Sequence, residues 1–154
     1  MKRFKMLTVL AVAAIFITAC GKDNNPEPPI IEDGTYVGKM TVLSVPGGPV
    51  LHEQENVTIK IEKGPGDIIE MEMFAVKFAP TMPMSLDVTV PGITIAATST
   101  GYSLQGDNII PQAMGGPFPQ FTMKNIEGSV TPQNLTFSMI CGTFPLSFTG
   151  SKVE

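Results

Sequence analysis

The chain is 154 residues long, 43% hydrophobic and 16% charged, with a formal net charge of −4. That length holds one domain with a single modest core. The acidic balance repels phosphate backbones and argues against nucleic-acid binding, and two cysteines are too few for a disulfide framework.

The N-terminus carries Lys2, Arg3 and Lys5, followed by the apolar run Met6 to Ile17. This run has the length of a secretory signal and is too short for a membrane-spanning helix. Ile17-Thr18-Ala19-Cys20 then resembles a bacterial lipobox. In that pattern a small residue precedes the cysteine so that a peptidase can cut there, and the thiol takes a diacylglyceryl group as a thioether. Two or more acyl chains, at about 0.8 kcal/mol per buried methylene, anchor a protein stably. Residues 1–19 therefore read as a lipoprotein signal peptide and Cys20 as the lipidated residue. Residues 20–33 read as a tether, polar and interrupted by Pro26, Pro28 and Pro29, a composition that favours extended chain. Cleavage before Cys20 leaves seven basic residues against fourteen acidic ones, a net charge near −7.

From Gly34 onward the hydrophobic period is two. Val57, Ile59 and Ile61 alternate with Thr58, Lys60 and Glu62; Ile69, Met71 and Met73 alternate with Glu70 and Glu72. The same alternation places Leu86, Val88 and Val90 on one face, and likewise Ile126, Gly128 and Val130, then Leu146 and Phe148. One apolar and one polar face suit antiparallel sheets wetted on one side. Turn signals fall at Pro46-Gly47-Gly48-Pro49, Gly64-Pro65-Gly66-Asp67, Pro91-Gly92, Gly106-Asp107-Asn108 and Thr131-Pro132-Gln133-Asn134. The pattern predicts eight or nine short strands between Thr35 and Ser151, with a three-stranded meander over Thr122 to Ser151. Closing such a sheet removes its edges, so residues 34–154 are expected to form a small all-β antiparallel barrel.

Several segments carry a family resemblance: Gly34-Thr35-Tyr36-Val37-Gly38 at the first strand, Val90-Pro91-Gly92-Ile93 in the middle, and Phe148-Thr149-Gly150 at the end. With these, the chain resembles the calycin-like β-barrel domain of lipoproteins from Bacteroides and relatives. The resemblance covers residues 34–151. It implies a lipocalin-like barrel of about eight strands and an outer-membrane address, and it carries over no catalytic residues. Lys22 and Asp23 form a weak version of the acidic signal that sends such lipoproteins to the cell surface, which leaves the periplasmic or surface face open.

The chain is poor in groups for chemistry. His52 is the one histidine and lies in the polar stretch Leu51-His52-Glu53-Gln54-Glu55, where it reads as a solvated strand-edge residue. Gly101-Tyr102-Ser103-Leu104-Gln105-Gly106 is one residue too long for a nucleophile elbow. Glu70 and Glu72 stand about 7 Å apart along a strand, the spacing of an inverting glycosidase pair, but their parity puts them on the wet face, whereas a catalytic acid needs a protected site. Met71/Met73 and Met82/Met84 have the Met-x-Met spacing of soft copper ligands, yet Met71 and Met73 share the core face, where methionine fills gaps. Cys141 shares parity with Leu135, Phe137 and Met139 and reads as a buried thiol. No enzyme activity, metal or cofactor is expected.

Two apolar loops remain. Phe78-Ala79-Pro80-Thr81-Met82-Pro83-Met84 joins two strands, and Met114-Gly115-Gly116-Pro117-Phe118-Pro119-Gln120-Phe121 precedes the meander. Phe78, Met82, Met84, Met114, Phe118 and Phe121 are the candidate contact residues. At one barrel mouth the loops would gate a cavity or offer a binding patch; folded inward, they would plug it. The leading expectation is an outer-membrane, lipid-anchored, non-enzymatic binding protein for a small apolar ligand or peptide. The alternative is a filled barrel that docks onto another envelope protein. The anchor is expected to hold both loops near the membrane.

Overall fold

A computed structural model describes residues 31–154. The expectations for the signal segment, for Cys20 and for the tether as far as residue 30 lie outside the described residues. Ten strands follow in order: β1 (Gly34–Leu43), β2 (Val50–Lys63), β3 (Ile68–Val76), β4 (Leu86–Ala97), β5 (Tyr102–Gly106), β6 (Gln112–Ala113), β7 (Gly116–Pro117), β8 (Met123–Val130), β9 (Asn134–Cys141) and β10 (Phe144–Val153). The helical content among the described residues is one 3-10 turn, Pro119–Phe121.

Eight of these strands close an antiparallel barrel. The sheet runs β3-β2-β1-β10-β9-β8-β5-β4, and β3 also pairs with β4, which joins the two ends. β6 and β7 form a hairpin added to β4. Each barrel strand neighbours the strands before and after it in sequence, so the expected barrel and its C-terminal meander are both present.

The alternation seen in the sequence becomes inside and outside. Val57, Ile59 and Ile61, then Ile69, Met71 and Met73, line the interior almost without exposure, as do Leu135, Phe137, Met139 and Cys141. The opposite face carries ion pairs such as Lys39 with Glu53 and Glu55, and Lys60 with Glu62 and Glu72. Glu70 and Glu72 stand opposite Glu62 and Lys60 on this outer ladder.

Pro91-Gly92 is a correction. It makes no turn; β4 runs through it. Ile69 pairs with Ile93 while Met71 pairs with Val90, so β4 holds one residue more than β3 at this point. Gly92 has φ +75°. A bulge accommodates both the missing proline N–H and the left-handed glycine. It also shifts the parity, since Val88 and Val90 face the core before it and Ile93 and Ile95 after it.

The barrel axis is occupied by side chains. Phe137 and Phe148 stack with ring centroids 5.4 Å apart. They fit because small residues face them: Gly128 pairs with Phe137, and Gly150 pairs with Gly38 one step along the wall. A Cβ on Gly150 would lie 2.5 Å from Phe148 Cζ, and one on Gly128 would lie 2.6 Å from Phe137 Cβ. Large and small inward residues thus alternate to fill a narrow barrel.

Candidate functional site

Strand direction defines two barrel ends. The chain enters at Ile31–Asp33, and the turns β2–β3, β4–β5 and β8–β9 lie at this entry end with the C-terminus. The β1–β2, β3–β4 and β5–β8 connections and the β9–β10 turn lie at the far end. Both apolar loops therefore share one mouth, opposite the entry of the tether.

They close that mouth. Phe78 is fully buried and its ring meets Phe121 at 5.1 Å, while Phe121 meets Phe118 at 5.3 Å. Edge-tilted ring pairs at this spacing are favourable beyond their burial. The Phe78 N–H donates to Met82 Sδ at 3.1 Å, which curls the β3–β4 connection back on itself. The β9–β10 turn packs beneath: an added Cβ on Gly142 would sit 3.5 Å from Phe121 Cδ1. Phe78, Met82, Phe118 and Phe121 thus form a plug, with Met82, Phe118 and Phe121 half-buried.

The other two candidate residues point outward. Met84 is 56% exposed and Met114 is 73% exposed. Residues 114–121, a single loop by sequence, divide into a hairpin and the 3-10 turn. Met114-Gly115 is the two-residue tip between β6 and β7, with φ +54° and +83°. Positive φ at both positions is the requirement of a type I′ hairpin turn. Asparagine or glycine usually meets it, and a methionine there costs about 1 kcal/mol or more.

Residues outside the six candidates extend this surface. Nine large apolar side chains are exposed among the described residues, and six lie at the far end: Val45, Val50, Leu51, Met84, Ile110 and Met114. Val45, Val50, Leu51 and Ile110 are not conspicuous in the sequence, because isolated apolar residues near turns resemble strand ends.

His52 is a second correction. It stands opposite the buried Val42, is half-buried rather than solvated, and its Nε2 is buried with no hydrogen-bond partner. A register shift between Gly38 and Met40 gives β2 one extra residue, reverses its parity after Val57, and turns this position to the same face as Val42.

The concave sites lie outside the plug. A recess of about 60 Å³ at the entry end is lined by Ile31, Tyr36, Tyr102, Val130 and Lys152; small-molecule pockets are several times larger. The Tyr36 hydroxyl donates to the Thr131 carbonyl oxygen at 3.3 Å on this side. A trough of about 410 Å³ on the outer wall is lined by Leu43, Asn125, Glu127, Ser138 and Ser147 among others. No cluster of three or more His, Cys, Asp or Glu residues suited to a metal ion occurs among the described residues.

No family model matches the sequence, and no curated protein matches it. In fold the chain is similar to a protein of Bacteroides fragilis NCTC 9343 provisionally assigned as an outer membrane protein, with a TM-score of 0.53 at 17% sequence identity. The match covers 79% of this chain and 50% of the other, so this chain spans about half the length of that protein. At that identity the likeness bears on fold alone.

Proposed function

We propose that this chain is a non-enzymatic outer-membrane lipoprotein, anchored through Cys20, whose filled barrel presents an apolar surface to another envelope protein. The observation that carries this reading is the far end: a plugged mouth surrounded by exposed apolar side chains. Interaction sites are where soluble domains expose clustered apolar surface. The Phe137–Phe148 stack and the Phe78–Phe121–Phe118 plug favour docking over the uptake of a small ligand, because the axis they fill is where a ligand would sit.

Polarity of the barrel supports the same reading. The described chain enters at the end opposite the two loops, so a tether from Cys20 would join the barrel away from them and leave the far end free to meet a partner. The fourteen residues from Cys20 to Asp33 span at most about 50 Å when extended. That length sets how far from the membrane a partner can be met. The strained Met114 adds support: an unfavourable backbone conformation that holds an exposed apolar side chain outward is expected where the side chain has a task.

The anchor and the docking surface are tested separately. Cys20→Ala should release the protein from the membrane fraction and abolish labelling by palmitate; retention of both overturns the anchor. Met84→Asp combined with Met114→Asp alters only exposed side chains and should remove the protein's main crosslinked adduct in intact cells. An unchanged crosslinking pattern overturns the docking surface.

A further inference from the structure

The barrel wall splits at the far end. Thr58 and Phe74 form the last ladder pair between β2 and β3. Just past it, Asn56 on β2 and Ala75 on β3 both adopt left-handed backbone, with φ +56° and +51°. β2 continues beside β1 as far as Val50, but β3 leaves it. Side chains then hold the departing segment: Gln54 Nε2 donates to the Ala75 carbonyl oxygen at 2.8 Å, and the Lys77 N–H donates to Gln54 Oε1 at 3.2 Å. The Ala75 N–H donates to Asp87 Oδ1 at 2.8 Å. Beyond this bridge, from Val50 to Glu53, no hydrogen bond among the described residues reaches β2 from the β3 side. Gln54 therefore marks the inner end of a short open strand edge.

We propose that the Val50–Glu53 edge of β2 is completed by an extended segment of the partner protein, added as a strand and carrying basic side chains at alternate positions. The inference rests on the docking reading of the far end and names how the partner engages it. An open edge offers main-chain donors and acceptors that another strand satisfies about 4.8 Å away. Charge selects the strand. Glu53 and Glu55 share the single ammonium of Lys39, at 2.9 and 3.3 Å, which leaves one carboxylate charge unmatched on the outer face. A lysine or arginine directly opposite Glu53 supplies the missing cation. The same carboxylates, with the bulge at Asn56, disfavour pairing with a second copy of this acidic chain, which would bring like charges together. Val50 and Leu51 are exposed beside the edge and add apolar contact.

Hydrogen exchange on the full-length protein tests this with two synthetic hexapeptides, one alternating lysine with threonine and one alternating glutamate with threonine. Amides within residues 50–53 should exchange about tenfold more slowly with excess lysine peptide and at an unchanged rate with glutamate peptide. Glu53→Lys should reverse that preference, and Glu53→Gln, milder toward the fold, should weaken it. Unchanged exchange with both peptides, or equal slowing by both, overturns the proposal. The docking reading fails on a different result, an unchanged crosslinking pattern when Met84 and Met114 are both replaced by Asp, so the two are distinguishable.

Discussion

Gly38 and Gly150 face one another across the seam between β1 and β10. A Cβ on Gly38 would lie 2.4 Å from the Gly150 Cα and 2.1 Å from the Thr149 carbonyl oxygen. These are the glycines of Tyr36-Val37-Gly38 and Phe148-Thr149-Gly150, the first and last segments of the family resemblance. Both serve one close approach of two strands. Gly38→Val should lower stability by about 1–3 kcal/mol or more, because the obstructing atoms are backbone. Gly116→Ala, with open space around it, should stay within about 0.5 kcal/mol of the parent. Urea unfolding midpoints of the two variants check this.

The aromatic stack on the axis makes a second prediction. Phe137→Ala should cost about 3–5 kcal/mol, since Phe148 and the glycine-lined wall cannot collapse into the space. Calorimetry should show one cooperative transition at a lower temperature. A variant with parental stability would mean that the interior is not filled as described.

Much of this fold is legible in the sequence because a barrel wall with one wet face imposes period two, and Val57-Thr58-Ile59-Lys60-Ile61 states it openly. Pro91-Gly92 misleads because a bulge and a turn use the same residues; only the pairing partner across β3 distinguishes them. The candidate site is legible in part. The six loop residues share one mouth, but their division into a buried plug and an exposed rim depends on contacts between loops distant in sequence, such as Phe78 with Phe121. The open β2 edge cannot be read from the chain, because it is created where β3 ends its pairing and not by anything within Val50–Glu53.

Met114 links stability to the docking surface. Asparagine tolerates positive φ better than methionine, so Met114→Asn should stabilise the protein by about 0.5–1 kcal/mol while weakening its crosslinking to the partner. Paired measurements of thermal midpoint and crosslink yield check both halves.

Cys141 predicts a pH dependence. Burial pushes its thiol well above the ordinary range. Below the unfolded thiol pKa of about 8.5 both states hold the proton and the group contributes no slope. Above it the unfolded chain releases its proton while the folded chain keeps it, so stability falls as pH rises. Urea midpoints from pH 8 to 10 should decline less steeply in Cys141→Ala than in the parent. Iodoacetamide should label Cys141 in the unfolded chain and spare it in the native one.

The central claim is that the far end of the barrel docks onto another envelope protein. A photoreactive residue placed at position 84 or 114 in living cells tests it most directly, with positions 68 and 153 as exposed controls at the entry end. Positions 84 and 114 should crosslink to the same envelope protein while the controls do not. Adducts to that protein from the entry end, or none from positions 84 and 114, would contradict the account.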